Sequence, residues 1–186
     1  MVHFNGKSLL LDKVPVTAVY TDACSAGAGG HWGHSWFYLN WEVDCPDALN
    51  LHINEQEVLA VAFAAHYWAH HWANKRILIF SDNAVTVSAL NKGTSRNNTV
   101  MRFLRYMFWL SAKYNFHITA RHIKGTHNDR ADTISRLHER SSFIRFISKY
   151  PCPMPFSEFL LHMSPASLSF LLSRHLTGIS NPLSGF

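Results

Sequence analysis

Charge is scarce in this chain. Only 16% of its 186 residues are Asp, Glu, Lys or Arg, against roughly a quarter in an ordinary globular domain. Cysteine is scarcer still: Cys24, Cys45 and Cys152 are odd in number, far apart, and form no CxxC pair. That excludes a disulfide framework and a cysteine-built zinc site, and makes a reducing compartment, cytoplasmic or nuclear, the expectation. No apolar run reaches the ~18 residues that would span a bilayer. The first residues lack the charged start and small-residue cleavage site of a secretory signal, so neither membrane residence nor secretion is expected. No internal repeat occurs, and the length suits one domain with some additional chain.

Aromatic and basic residues fill part of the gap. There are 13 His and 6 Trp, and 17 Lys+Arg stand against 12 Asp+Glu for a net charge of +5. Such a surface suits a polyanionic partner. Hydrophobic residues make up 47% of the chain, which provides a real core and excludes wholesale disorder.

Residues 16–20 are β-branched and aromatic and lead into Thr21 and Asp22, a strand followed by a small-residue turn. Residues 29–41 predict two more strands in a meander, then a polar loop containing Pro46. A long helix is expected from Asn54 to about Ala73, with Asn54 as N-cap and Glu57 completing a capping box. The apolar run 77–80 predicts a central strand buried on both faces and ending at Asp82. Helices follow over 83–91 and 100–113, then a strand over 116–121, a turn over 125–128 and a helix from Asp129 to about Arg140. Pro151, Pro153 and Pro155 mark a change of texture. The expected division is a lead-in over 1–15, one domain over 16–148, and a Pro/Ser/Leu-rich linker or truncated start of a following region over 149–186. A meander followed by alternating β and α predicts an α/β fold: a mixed five-stranded sheet with helices on both faces.

Four acids fall at element boundaries of that scheme: Asp22, Glu57, Asp82 and Asp132. Gathered at one sheet edge they would repel one another and call for a hard divalent cation, magnesium or manganese. Taken singly, each has another reading. Asp22 and Asp82 suit turns, Glu57 suits a cap, and Asp132 offsets a helix N-terminus.

Their local context carries a resemblance. The segments YTDA at 20–23, EVLA at 57–60, SDN at 81–83 and HIKGTHNDRADTISR at 122–136 resemble the ribonuclease H domain of retroelement polymerases. The last resembles the H-x-x-G-x-x-N-x-x-A-D-x-L-S-R run of gypsy-type and DIRS-type retrotransposons, with Ile134 in place of leucine. Residues 81–93 look closer to the DIRS-type branch. The resemblance implies a ribonuclease H fold that hydrolyses the RNA strand of RNA–DNA hybrids with two divalent ions. It implies Asp22, Glu57, Asp82 and Asp132 as metal ligands, and products with 5′-phosphate and 3′-hydroxyl ends. Asp22, as the acid held most rigidly at a strand end, is expected to bridge the ions. His127 stands in a loop shorter than the one that carries the auxiliary histidine of cellular ribonucleases H.

Substrate contacts are expected from Cys24 and Ser25, with residues 27–30 allowing a close approach to RNA. Further contacts are expected from Asn83 and Asn128, and from Lys92, Ser95 and Arg96 in a loop suited to DNA phosphates. His66 and His70 have the i, i+4 spacing of zinc pairs, but helix packing is the stronger reading. No YxDD-type polymerase motif occurs, so the expected partner is a reverse transcriptase domain elsewhere in one polyprotein. A catalytically inactive nucleic-acid-binding remnant and a DNA nuclease of the same fold are the alternatives.

Overall fold

The structure, a computed structural model, describes residues 16–150. The expected lead-in over 1–15 and the linker beyond 150 lie outside the described residues. Strand β1 (Val16–Cys24) pairs antiparallel with β2 (Gly27–Trp32), which pairs antiparallel with β3 (Ser35–Asn40). On its other side β1 runs parallel to β4 (Arg76–Ser81), and β4 runs parallel to β5 (His117–His122). The order β3-β2-β1-β4-β5 is the expected mixed five-stranded sheet.

Parallel neighbours need crossovers. A short α1 (Trp41–Asp44), a 3-10 turn over Pro46–Asn50 and the long α2 (Ile53–Trp68) link β3 to β4. The pair α3 (Ala84–Lys92) and α4 (Asn98–Tyr114) links β4 to β5. Two helices close the described chain, α5 (Asp129–Ser135) and α6 (Arg140–Lys149).

Strand side chains alternate between faces, and β3 shows the consequence. Phe37 packs on Trp68 of α2, with ring centroids 5.5 Å apart, while its neighbour Trp36 meets Phe146 of α6 at 5.0 Å. Helices therefore cover both faces. Residues 56–65 of α2 are all buried, as a helix between a sheet and another helix must be. The alanines of α2 keep that approach close. Trp41, Trp68 and Trp72 anchor the core.

Four local expectations are corrected. Helix α2 starts earlier, with His52 as N-cap: its Nδ1 accepts from the Asn54 N–H at 3.2 Å, and Glu55 Oε2 accepts from the His52 N–H at 2.7 Å. The helix also stops at Trp68, and a turn over 69–74 ends with Asn74 at φ +60°. Strand β4 is buried on one face only. Ile77 and Ile79 are sealed, whereas Leu78 and Phe80 are half-buried, and Phe80 stacks on Tyr20, which stacks on His31. The helix expected over 129–140 ends at Ser135, and a second, unexpected helix begins at Arg140. The chain turns after Ser135 so that α5 can lie on β1 and β2 while α6 returns to bury Phe146. Asp129 straps the two together, accepting from Arg145, from Lys149 Nζ at 2.6 Å and from the Tyr150 hydroxyl at 3.0 Å.

Strand β5 lies at the sheet edge. There the Asn91 side chain donates to the Ala120 carbonyl at 2.9 Å and accepts from the Ala120 N–H at 2.8 Å.

Candidate active site

Because β1 and β4 are parallel, their C-terminal ends share one edge of the sheet. Asp22 lies on β1, two residues inside its end and opposite Gly29 of β2. Asp82 follows the last residue of β4. Glu57 sits one turn inside α2 and faces the same edge. Ligand oxygens of Asp22, Glu57 and Asp82 lie within 4.8 Å of one another, and no other such group occurs among the described residues.

The surroundings hold each acid in place. Ser135 Oγ donates to Asp22 Oδ2 at 2.6 Å. Glu57 accepts from the Ala23 N–H. Asn128 Nδ2 lies 3.0 Å from the Thr21 carbonyl and 3.4 Å from Asp82 Oδ1, tying β1 to β4's acid. Glu57 Oε2 is buried without a hydrogen-bond partner among the described residues.

Burial dominates the electrostatics. It pushes the Asp22 carboxyl from its ordinary 3.8 to about 7, with the charges of Asp82 and Asp132 adding to the rise and the Ser135 hydroxyl opposing it. Burial likewise pushes Glu57 from 4.5 to about 9, reinforced by Asp22 and Asp82. Three carboxylates this close need protons or a cation. The orphaned Glu57 oxygen and an all-oxygen donor set fit a hard divalent cation, magnesium or manganese above softer metals.

Asp132 stands outside this group. Arg136, one turn on, donates to its Oδ1 through Nε at 3.0 Å, and the Asp132 side chain is 39% exposed. His127 is exposed on the turn before Asn128. His122 bonds through Nε2 to the Asp82 carbonyl at 3.0 Å, a structural role. Lys92, Ser95 and Arg96 line one groove of ≈ 640 Å³ with Ala84, Val85 and Ser88, along the helix that begins two residues after Asp82. Asn83 caps that helix through the Thr86 N–H and donates to Asn54 Oδ1 at 2.9 Å.

Three expected substrate contacts turn inward instead. The Cys24 thiol is buried and donates to the Ser135 carbonyl at 3.3 Å, leaving Ser25 alone exposed on the turn. Asn128 is 1% exposed and serves the acids rather than the surface. Residues 27–30 are strand interior, and their glycines admit α5: a Cβ on Gly29 would lie 2.7 Å from Ser135 N, and one on Gly27 2.8 Å from Ser135 O. His66 bonds to the Tyr106 hydroxyl of α4, in keeping with packing.

Sequence reading missed Ser135, which lies inside the 122–136 run but three residues past its acid, and the tie from Asn97 Nδ2 to Glu55 Oε1 at 2.9 Å. Only the S-R ending of the run could have signalled the first.

No family model matches the chain. The enzymatic polyprotein of Cauliflower mosaic virus (strain D/H) is 34% identical over 91 residues, which is 49% of this chain. The chain spans only 13% of that curated relative's length. RNase H1 from the halophilic archaeon Halobacterium salinarum NRC-1 superposes with a TM-score of 0.50 at 16% identity, over 66% of this chain and 96% of the archaeal one. LC11-RNase H1, solved in complex with an RNA/DNA hybrid, gives 0.48 at 15% identity, over 64% and 94% of the two chains. The fold is that of ribonuclease H.

Proposed function

We propose that the chain is the nuclease domain of a retroelement polyprotein, a metal-dependent ribonuclease that hydrolyses the RNA strand of RNA–DNA hybrids. One observation carries this reading: Asp22, Glu57 and Asp82 converge at one edge of a ribonuclease H sheet. The match to a viral polyprotein supports the setting, the run at 122–136 suits gypsy-type and DIRS-type elements alike, and the run at 81–93 favours the DIRS-type branch. A reverse transcriptase domain in the same polyprotein is the proposed neighbour, with residues 16–148 as the nuclease unit. An intracellular site of action follows from that setting. Among the described residues no helix is long and apolar enough to cross a membrane.

Asp22, Glu57 and Asp82 would hold two magnesium or manganese ions, and Asp132 would join them by exchanging Arg136 for a cation. When bound, the ions supply charge that activates a water and offsets the charge on the leaving oxygen. Asp22 is the proposed shared ligand, because strand pairing fixes its backbone and Ser135 its side chain. Asn128 keeps Asp82 aligned with β1. Lys92, Ser95 and Arg96 bind DNA phosphates, and Ser25 faces the RNA. Asn83 orients the start of the groove helix, and His127 is an auxiliary for product release.

Cleavage of a labelled RNA–DNA hybrid, duplex RNA and duplex DNA tests this. The expected outcome is cutting of the hybrid RNA with magnesium or manganese, and none with calcium or excess chelator. Asp82→Asn should abolish cutting while leaving the melting temperature equal or higher, since it relieves carboxylate repulsion. Cutting of duplex DNA alone would establish a DNA nuclease instead. Hybrid binding without any cutting would establish an inactive remnant.

A further inference from the structure

Ser135 closes α5 with no solvent exposure. Its hydroxyl lies 2.6 Å from Asp22 Oδ2 and 2.8 Å from the Asp132 carbonyl. One hydroxyl has one proton to donate. The shorter contact, to a carboxylate, takes it, because O–H···O⁻ bonds of ~2.5–2.7 Å are about twice as strong as neutral ones. The Ser135 backbone is confined as well. Its carbonyl accepts from the Cys24 thiol, and the absent side chains of Gly27 and Gly29 let its main chain press onto β2.

We infer that Ser135 is a positioning residue for Asp22. Its hydroxyl holds Oδ2 and fixes the rotation of the carboxylate, leaving the second oxygen for the cation. The inference rests on reading the three acids as a metal site. Ordinary back-bonding to the Asp132 carbonyl, common for serine in helices, would give the hydroxyl a local role only and make its loss silent at the metal.

The test is a calorimetric titration of the full chain with manganese chloride, paired with hybrid turnover. Removing a group that orients a metal ligand typically costs about 10–100-fold in affinity or activity. Ser135→Ala should therefore weaken manganese binding by about tenfold or more and lower kcat similarly. The KM for hybrid should be unchanged, because the phosphate groove along α3 is untouched, and excess manganese should restore part of kcat. Ser135→Cys keeps the side chain's shape with a somewhat larger atom and donates weakly, so its affinity should fall between the two, and it decides the matter if the alanine variant does not fold. Wild-type manganese affinity in either folded variant overturns the assignment, whatever happens to the melting temperature. A wild-type chain that binds manganese yet leaves the hybrid uncut overturns the ribonuclease reading, while the isotherms still decide Ser135. A wild-type chain that binds no manganese overturns both.

Discussion

Glu55 and Glu57 stand two residues apart on α2 and do unrelated work. Glu55 closes the helix cap and reaches Asn97, half in solvent. Glu57 is buried beside two acids, with an oxygen that nothing in the described protein satisfies. Glu57→Gln should reduce hybrid cleavage by orders of magnitude with the fold intact. Glu55→Gln should cost little, since glutamine fills a capping box too. A steady-state assay and a melt of each variant check this. Metal-free stability adds a pH signature. Both Asp22 and Glu57 titrate higher in the folded chain than in the unfolded one. Their protonated forms therefore stabilise the fold, fully so below about pH 4, and that contribution is lost as pH rises through about 7 for Asp22 and about 9 for Glu57. In chelator, Glu57→Gln should thus gain stability over the wild type at pH 8 more than at pH 5, measured by urea unfolding. An equal difference at both would rule out the raised Glu57 carboxyl. These acids were legible because strands and helix starts show in apolar spacing, and each acid interrupts it. The cap was not. Asn54 and Glu57 offer the usual capping pattern, and nothing local says that a histidine two residues earlier wins. The inward turn of Cys24 and Asn128 depends on α5, which lies more than a hundred residues from Cys24 in the chain.

At the scale of elements, α5 is held by what β2 lacks. A methyl on Gly29 would collide with Ile134 and the Ser135 backbone. Gly29→Ala should cost about 1–3 kcal/mol, the usual range for overpacking, and should also lower cleavage because Ser135 moves away from Asp22. Urea unfolding and turnover together check it. Sequence spacing could not divide α5 from α6, since no Gly or Pro interrupts residues 129–149. The break comes from tertiary demand, with Ser135 at one sheet position and Phe146 on Trp36 at another. The same packing makes α6 part of the domain. Phe146→Ala should destabilise by about 3 kcal/mol, whereas ending the chain after Tyr150 should leave melting temperature and turnover near wild type. The mixed sheet with helices on both faces, by contrast, was readable in advance, because a meander followed by alternating strands and helices leaves few topologies open.

For the molecule as a whole, the net charge is +5 on few charged residues, a balance that suits a polyanionic partner. Lys92 and Arg96 share one groove. Replacing both with glutamate should weaken hybrid binding at all sequences and reduce the salt slope by about one for each phosphate no longer neutralised. Filter binding across a salt series reads this directly, and an unchanged slope would place the DNA strand elsewhere.

A sheet that ends in an open strand offers its unpaired amides to any passing chain. On β5 the Asn91 side chain occupies both backbone groups of Ala120, so one amide stands where a sixth strand would dock. At this edge of the sheet the side chain stands in the way of strand-to-strand pairing with a second copy. Asn91→Ala should leave turnover intact at high dilution but bring on concentration-dependent oligomers, visible by light scattering. Asn91 covers the edge at β5, apart from the acids at the ends of β1 and β4.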